Sequence, residues 1–266
     1  MSVHSPGIFA RLGVSSRRDP QHPVRLDPFP AICAKGVVRP SVLVLVVDMM
    51  AGFHAEAGAG SDWVFTTDLS LRAPARRIPE RVVATGQVLR AGRGSISCEV
   101  ALRAGDRAFA YGQSGFIRIP RRHGDPPKPH LHPDEEFRRQ APIERPLVEE
   151  VGIRVLDPAT GHCELALRDE LLNPARVLQG AIVSLVAEVA AETLAEHASG
   201  APQLVTELDI RYLAMGRVGP IWSRASWIGD PGSGALRVEL RDRGNGDRLT
   251  TTVLARSEPL EASASR

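Results

Sequence analysis

The chain has 266 residues, with 33 Lys or Arg against 31 Asp or Glu and a formal net charge of +2. That balance gives no basic footprint for nucleic acid, while 43% hydrophobic and 24% charged residues suit a globular chain with a sizeable core. Its three cysteines, Cys33, Cys98 and Cys163, are far apart and odd in number, which argues against a disulfide framework or a zinc site and makes a reducing cytoplasm the default compartment.

Residues 1–25 read as a tail, partly ordered, without the apolar core of a signal peptide. No run of 18 or more apolar residues follows, so no membrane span is expected. Residues 26–119 read as a first domain. Its stretch "RPSVLVLVVD" at 39–48 is apolar and β-branched, and is followed by the alternating segments "FTTDLSLRA", "RVVATGQVLRA", "SISCEVALRA" and "RAFAYGQSGFIRI". Residues 120–146 are rich in proline and charge and read as a linker. His123, His130 and His132 lie there beside Asp134 and Glu135 and read as an incidental cluster, so no metal site is expected. Residues 147–260 read as a second domain, with short strands at "GIRVLD" and "CELALR", a long helix beginning near "QGAIVSLVAEVAAETLAEHA" and four alternating strands after it. Residues 261–266 form a tail.

The two domains repeat one another. "TDLSLR" at 67–72 answers "TELDIR" at 206–211, an offset of 139 that pairs Thr67 with Thr206 and Arg72 with Arg211. Gly105-Asp106-Arg107 answers Gly246-Asp247-Arg248, and Asp48 falls on Glu188 at an offset of 140. The repeat settles a local ambiguity. "SVLVLVV" alone has strand composition, but its counterpart is rich in Ala, Leu and Glu and therefore helical. Both are read as helices, with Pro40 tolerated at the start of the first. A helix that is apolar all round must be wrapped, and an antiparallel sheet around one long central helix in each repeat is the expected α+β architecture.

This order of elements, together with residues 173–188, resembles the PaaI-like branch of hotdog acyl-CoA thioesterases. The family motif runs Asn-x-x-Gly-x-x-His-Gly-Gly, with an acid nine residues after the His. Asn173, Gln179, Gly180, Ala181 and Glu188 match the Asn, His, two glycines and acid, and Arg176 departs from the first Gly. In the first half Gly36, Arg39, Pro40, Ser41 and Asp48 take the corresponding places, with Cys33 at the Asn position. The resemblance implies a double hotdog, a fused intramolecular pseudo-dimer; a further homodimer stays open. It implies hydrolysis of the thioester of coenzyme A or of an acyl carrier protein to free acid and thiol. No cofactor is required, since coenzyme A is part of the substrate.

Thioester hydrolysis needs a polarised carbonyl and an attacking group. Free N–H groups at a helix N-terminus can supply the first, with Gly180 allowing close approach and Asn173 adding a donor. Asp48 or Glu188 can supply the attack, as general base or as nucleophile. In the resembled family the acid of one hotdog faces the helix N-terminus of the other. Asp48 would then meet Asn173, Gln179 and Gly180, while Glu188 would meet Cys33, Arg39 and Pro40. Pro40 has no N–H, so the Asp48 site is expected to be the principal one. Ala181 and Ser184 leave room beside the acid, and Arg39, Arg72 and Arg211 are candidates for substrate contacts, the arginines suiting coenzyme A phosphates. Two alternatives remain. One is a hotdog enoyl-CoA hydratase or dehydratase pairing Asp48 with His54, although six helical residues turn the two apart by about 240°. The other is an acyl-CoA-binding protein without turnover.

Overall fold

A computed structural model describes residues 7–17, 21–60, 62–74, 77–78, 80–120, 140–173 and 175–260. Most of the linker, including its histidine cluster, lies outside the described residues, as do both terminal segments. In chain order the elements are β1 (Val14–Ser15), β2 (Val24–Leu26), β3 (Cys33–Ala34), β4 (Val37–Val38), α1 (Pro40–Ala59), β5 (Trp63–Arg72), β6 (Val82–Ala91), β7 (Ser95–Ala104) and β8 (Arg107–Ile119). The second half supplies α2 (Leu147–Val151), β9 (Arg154–Asp157), β10 (His162–Leu165), α3 (Gly180–Ser199), β11 (Gln203–Tyr212), β12 (Ile221–Trp227), β13 (Ala235–Asp242) and β14 (Arg248–Pro259).

Twelve of these strands form one antiparallel sheet in the order β1-β2-β6-β7-β8-β5-β11-β14-β13-β12-β10-β9, and β3 and β4 pair separately. Read outward from its middle, the sheet has two matching wings. The wings meet where β5 pairs with β11, with Leu69 opposite Ile210 and Leu71 opposite Leu208. The duplication extends to a defect in the ladder. Against β8, β5 shifts register between Thr66 and Asp68; against β14, β11 shifts between Val205 and Glu207. The extra residues are thus Thr67 and Thr206, the pair that the 139-residue offset superposes. A bulge of this kind bends a strand and re-aims its neighbours.

α1 packs against β5, β6, β7 and β8, α3 packs against β10 to β14, and the two helices touch each other. By length and hydropathy α1 could cross a membrane, but every residue from Val42 to Val47 is buried in the core between sheet and helix. Its β-branched run stays helical because wrapping on all sides repays the propensity penalty many times over.

The core begins earlier than the sequence pattern indicates. Ile8, Leu12, Val14, Val24 and Leu26 are all buried in it. The turn at residues 8–12 also ties to the second half: Gln140 N–H donates to Ala10 O, Ile143 N–H to Arg11 O, and Arg11 pairs with Glu150 at 2.9 Å. These apolar residues are too widely spaced, and too often interrupted by proline, to show a period.

Gly112 on β8 marks a close approach of α1 to its sheet. A Cβ there would lie 2.6 Å from Val47 Cγ1 and 3.0 Å from Ser70 O. Gly112→Ala is expected to destabilise the fold by about 1–3 kcal/mol. At Gly52, inside α1, an added Cβ would meet nothing within 4 Å, and Gly52→Ala is expected to stabilise by roughly 0.5–1 kcal/mol. Urea titration of the two variants checks both signs.

Candidate active site

The central helices run antiparallel, so the middle of each reaches the N-terminus of the other. At one crossing a cavity of about 400 Å³ holds Asp48 of α1 together with Asn173, Gln179 and Gly180 at the start of α3. Phe65, Thr66, Ile117 and Ile119 complete its wall from the first half, and Val177, Leu178, Val183, Tyr212 and Leu213 contribute from the second.

Asp48 is partly buried, and the Thr66 hydroxyl donates to its Oδ1 at 2.9 Å. Burial pushes its pKa from 3.8 up to about 6, against the opposing effect of that hydrogen bond. Gln179 is the N-cap of α3, and its side-chain oxygen accepts from Ala181 N–H at 2.6 Å. The Ala181 amide is therefore engaged. Gly180 N–H, one residue earlier, has no hydrogen-bond partner among the described residues and lies at the positive end of the helix. Asn173 Oδ1 accepts from the N–H groups of Ala175 at 3.0 Å and Val177 at 3.2 Å, shaping the turn into the helix. Only its Nδ2 group remains as a donor at the cavity.

Among the polar residues of this cavity that sequence reasoning did not assign to it, Thr66 and Tyr212 touch the site's own groups. Thr66 adjoins the bulge; its signal was its place beside the repeated Thr67. Tyr212 is the last inward residue of the alternation Leu208, Ile210, Tyr212. Its hydroxyl donates to Gly180 O at 3.3 Å, and a Cβ on Gly180 would lie 3.1 Å from the same oxygen. Burial, then the charge of Asp48, raises the phenol pKa, so the group stays a neutral donor.

At the other crossing the protein partners the carboxylate itself. Glu188 is fully buried. Arg39 Nη1 lies 2.5 Å from its Oε1 and 3.3 Å from Glu192 Oε2, while Ser41 N–H donates to Glu188 Oε2 at 2.9 Å. The N-terminus of α1 is thus capped by the carboxylate of α3. Burial and the charge of Glu188 raise the pKa of Glu192 to about 7. The repeat offsets make the asymmetry explicit: Gln179, Gly180, Thr66 and Tyr212 correspond to Arg39, Pro40, Val205 and Ala73.

Several expected substrate contacts lie elsewhere. Arg39 is spent in the buried ion pair. Ser184 donates to Gly180 O at 2.8 Å within α3, because a serine buried in a helix finds its nearest acceptor one turn back. Ala181 is buried beneath the cap. Arg72 pairs with Asp209 at 2.8 Å and Glu207 at 3.2 Å, and Arg211 is exposed and donates to Ile210 O. Both sit on the solvent face of the β5–β11 pair, because alternation sends their inward neighbours to the core. His54 packs against Gly86 of β6 and does not line the cavity.

The electrostatics set two expectations. Arg39→Ala leaves two buried carboxylates without their cation and should cost about 3–5 kcal/mol, less at pH 5 than at pH 8 because Glu192, whose pKa burial raises to about 7, is protonated at the lower pH; chemical denaturation at the two pH values reads this. Asp48 binds its proton more tightly folded than unfolded, so its ionisation costs stability as pH rises from about 4 through about 6. Asp48→Asn should therefore raise Tm by roughly 3–6 °C at pH 8 and hardly at all at pH 4, measured calorimetrically.

No family model matches the sequence, and no curated protein matches it either. Solved structures do. A candidate thioesterase from Novosphingobium aromaticivorans is similar at a TM-score of 0.64 and 15% identity, over 94% of this chain and 99% of that one. The tesB protein of Mycobacterium avium subspecies paratuberculosis is similar at 0.62 and 13%, over 95% and 98%. An acyl-ACP thioesterase from Bacteroides thetaiotaomicron is similar at 0.57 and 12%, over 88% and 96%. At these identities the likeness is one of architecture, and along nearly its whole length the chain has the fold of solved thioesterases.

Proposed function

We propose that the chain is a double hotdog protein that hydrolyses acyl thioesters at the Asp48 site. One observation carries the reading: a carboxylate with a raised pKa on one central helix shares a cavity with the free N-terminal amide of the other. These are the two groups that the reaction requires, and only their meeting across the halves makes a site.

In this reading the thioester carbonyl oxygen points at Gly180 N–H, with Asn173 Nδ2 as a neighbouring donor and the Tyr212 hydroxyl as a second once it turns from Gly180 O to the substrate. A water hydrogen-bonded to Asp48 attacks the carbonyl carbon as Asp48 takes one of its protons. The tetrahedral intermediate collapses, the C–S bond breaks, and the thiolate leaves and takes up the proton; the products are a carboxylic acid and a thiol. Thr66 holds the Asp48 carboxylate in orientation. Direct attack by Asp48 through a mixed anhydride is the competing route, and trapping of an acyl-enzyme in rapid-quench samples would favour it.

The carrier is coenzyme A or an acyl carrier protein; one of the similar structures is an acyl-ACP thioesterase. A hydratase reading is less well supported, because among the described residues no histidine lines the cavity with Asp48. The free thiols of Cys33, Cys98 and Cys163 suit a cytoplasmic setting.

Release of free thiol from a panel of acyl-CoAs tests the proposal. Asp48→Asn should lower kcat by roughly 10²–10⁴-fold with KM little changed, and Tyr212→Phe by about tenfold or more. Glu188→Gln should lower activity far less. For the wild type, kcat/KM should rise with pH through about 6 and then level, following Asp48. Full activity in Asp48→Asn, with Glu188→Gln inactive, would overturn the assignment.

A further inference from the structure

The bulge in β5 decides which way Thr66 points. Leu69 and Leu71 are fully buried and face the core. Strict alternation along β5 would face Thr67 inward as well and send Thr66 outward. The extra residue of the bulge reverses this. Asp68 stands opposite Gly115 and Thr66 opposite the buried Phe116. Thr66 therefore turns inward, where its hydroxyl donates to Asp48 at 2.9 Å. One residue of slip would carry that hydroxyl to the other face of the sheet.

Contacts on both strands hold the bulge. The Thr67 hydroxyl donates between Asp68 Oδ2 at 2.9 Å and Gly115 O at 3.2 Å, and the Ser114 hydroxyl donates to Asp68 O at 3.3 Å. The Asp68 side chain lies across Gly115: a Cβ there would collide with Oδ2 and lie 2.8 Å from Cγ. The second half shows that a bulge forms without these contacts. β11 shifts register at the matching place. There Thr206 Oγ1 is buried with no hydrogen-bond partner among the described residues, and Glu207 pairs with Arg72 at 3.2 Å. Arg256, with a full side chain, stands opposite Glu207 where Gly115 stands opposite Asp68. The neighbour of that bulge is Val205, which has no hydroxyl to aim. The extra contacts thus accompany the bulge that turns a hydroxyl toward an acid.

We propose that Thr67, Asp68 and Gly115 are positioning residues: the Thr67–Asp68 hydrogen bond, closed over the bare backbone of Gly115, keeps the Thr66 hydroxyl on Asp48. The inference rests on the reading of Asp48 as the acting carboxylate and names the groups that hold it ready. Asp68 and Gly115 lie outside the cavity wall, so they act through Thr66 and not on a substrate. The three atoms nearest a Cβ at Gly115 all belong to the Asp68 side chain. Gly115→Ala is therefore accommodated by swinging that carboxylate away, which opens the lock while the chain still folds.

Carbon-13 NMR titration of the Asp48 carboxyl in the intact protein tests this without turnover. Thr66→Val removes the hydrogen bond that opposes the effect of burial, and should raise the Asp48 pKa by about half a unit to one unit. Gly115→Ala, Asp68→Ala and Thr67→Val should each raise it by roughly 0.3 unit or more, and by nothing further when combined with Thr66→Val. Asp68→Asn keeps an acceptor for Thr67 and should titrate like the wild type. In acyl-CoA hydrolysis the three lock variants should lower kcat by about threefold to tenfold with KM little changed. Thermal melts check folding, and Thr67→Val and Asp68→Ala carry the test if Gly115→Ala does not fold. If the titration shifts appear yet no thioester is cleaved, the hydrolase reading fails and the positioning stands. An Asp48 pKa that Thr66→Val or the lock variants leave unmoved, or lock effects that persist undiminished in Thr66→Val, overturns the inference.

Discussion

The antiparallel crossing of two buried helices governs this molecule. Each helix carries one acid near its middle, and the crossing delivers that acid to the other helix's N-terminus. A buried carboxylate is costly unless something partners it, and a helix N-terminus has unpaired N–H groups and a positive dipole. The two needs complement one another at both crossings. The sheet exists in this form to hold that geometry: the β5–β11 pairing fuses two wings into one surface, and Gly112 lets α1 settle close upon it.

What separates the crossings is which groups fill them. At Glu188 the protein answers its own need, with Arg39 and Ser41 N–H saturating the carboxylate and Glu192 sharing the guanidinium. Both Glu188 oxygens are thereby occupied, while Glu192 Oε1 stays buried without a hydrogen-bond partner among the described residues. At Asp48 Thr66 is the one hydrogen-bond donor among the described residues; burial keeps the carboxylate's pKa raised, and the opposing Gly180 amide has no partner among them. A Gln-Gly pair against Arg-Pro, and a threonine and tyrosine against valine and alanine, are among the differences that separate the cavity from the structural ion pair. Duplication permits this, since one copy can be given over to stability while the other stays poised.

Much of this was legible beforehand because it is local. The offsets of 139 and 140 residues expose the repeat, and the repeat turns a strand-like "SVLVLVV" into a helix. The glycine and proline at the helix starts and the carboxylates near the helix middles are visible by spacing alone. Thr66 and Tyr212 were not visible, since their relevance depends on a bulge and on a strand ending beneath the other half's helix. The surface positions of Arg72 and Arg211 follow from strand register, which one residue of slip reverses. The meeting of Arg39 with Glu188 was expected, but its role as a substrate contact was not met, because the ion pair to an acid 149 residues away takes up the guanidinium.

By itself the sequence determined the repeated order of elements, the two apolar helices and the two acids, because periodicity, composition and spacing act within a few turns of chain. Only the tertiary structure decided which acid is satisfied and which is left exposed to a cavity. That choice depends on what stands opposite each carboxylate, and the opposing groups come from the other half of the chain.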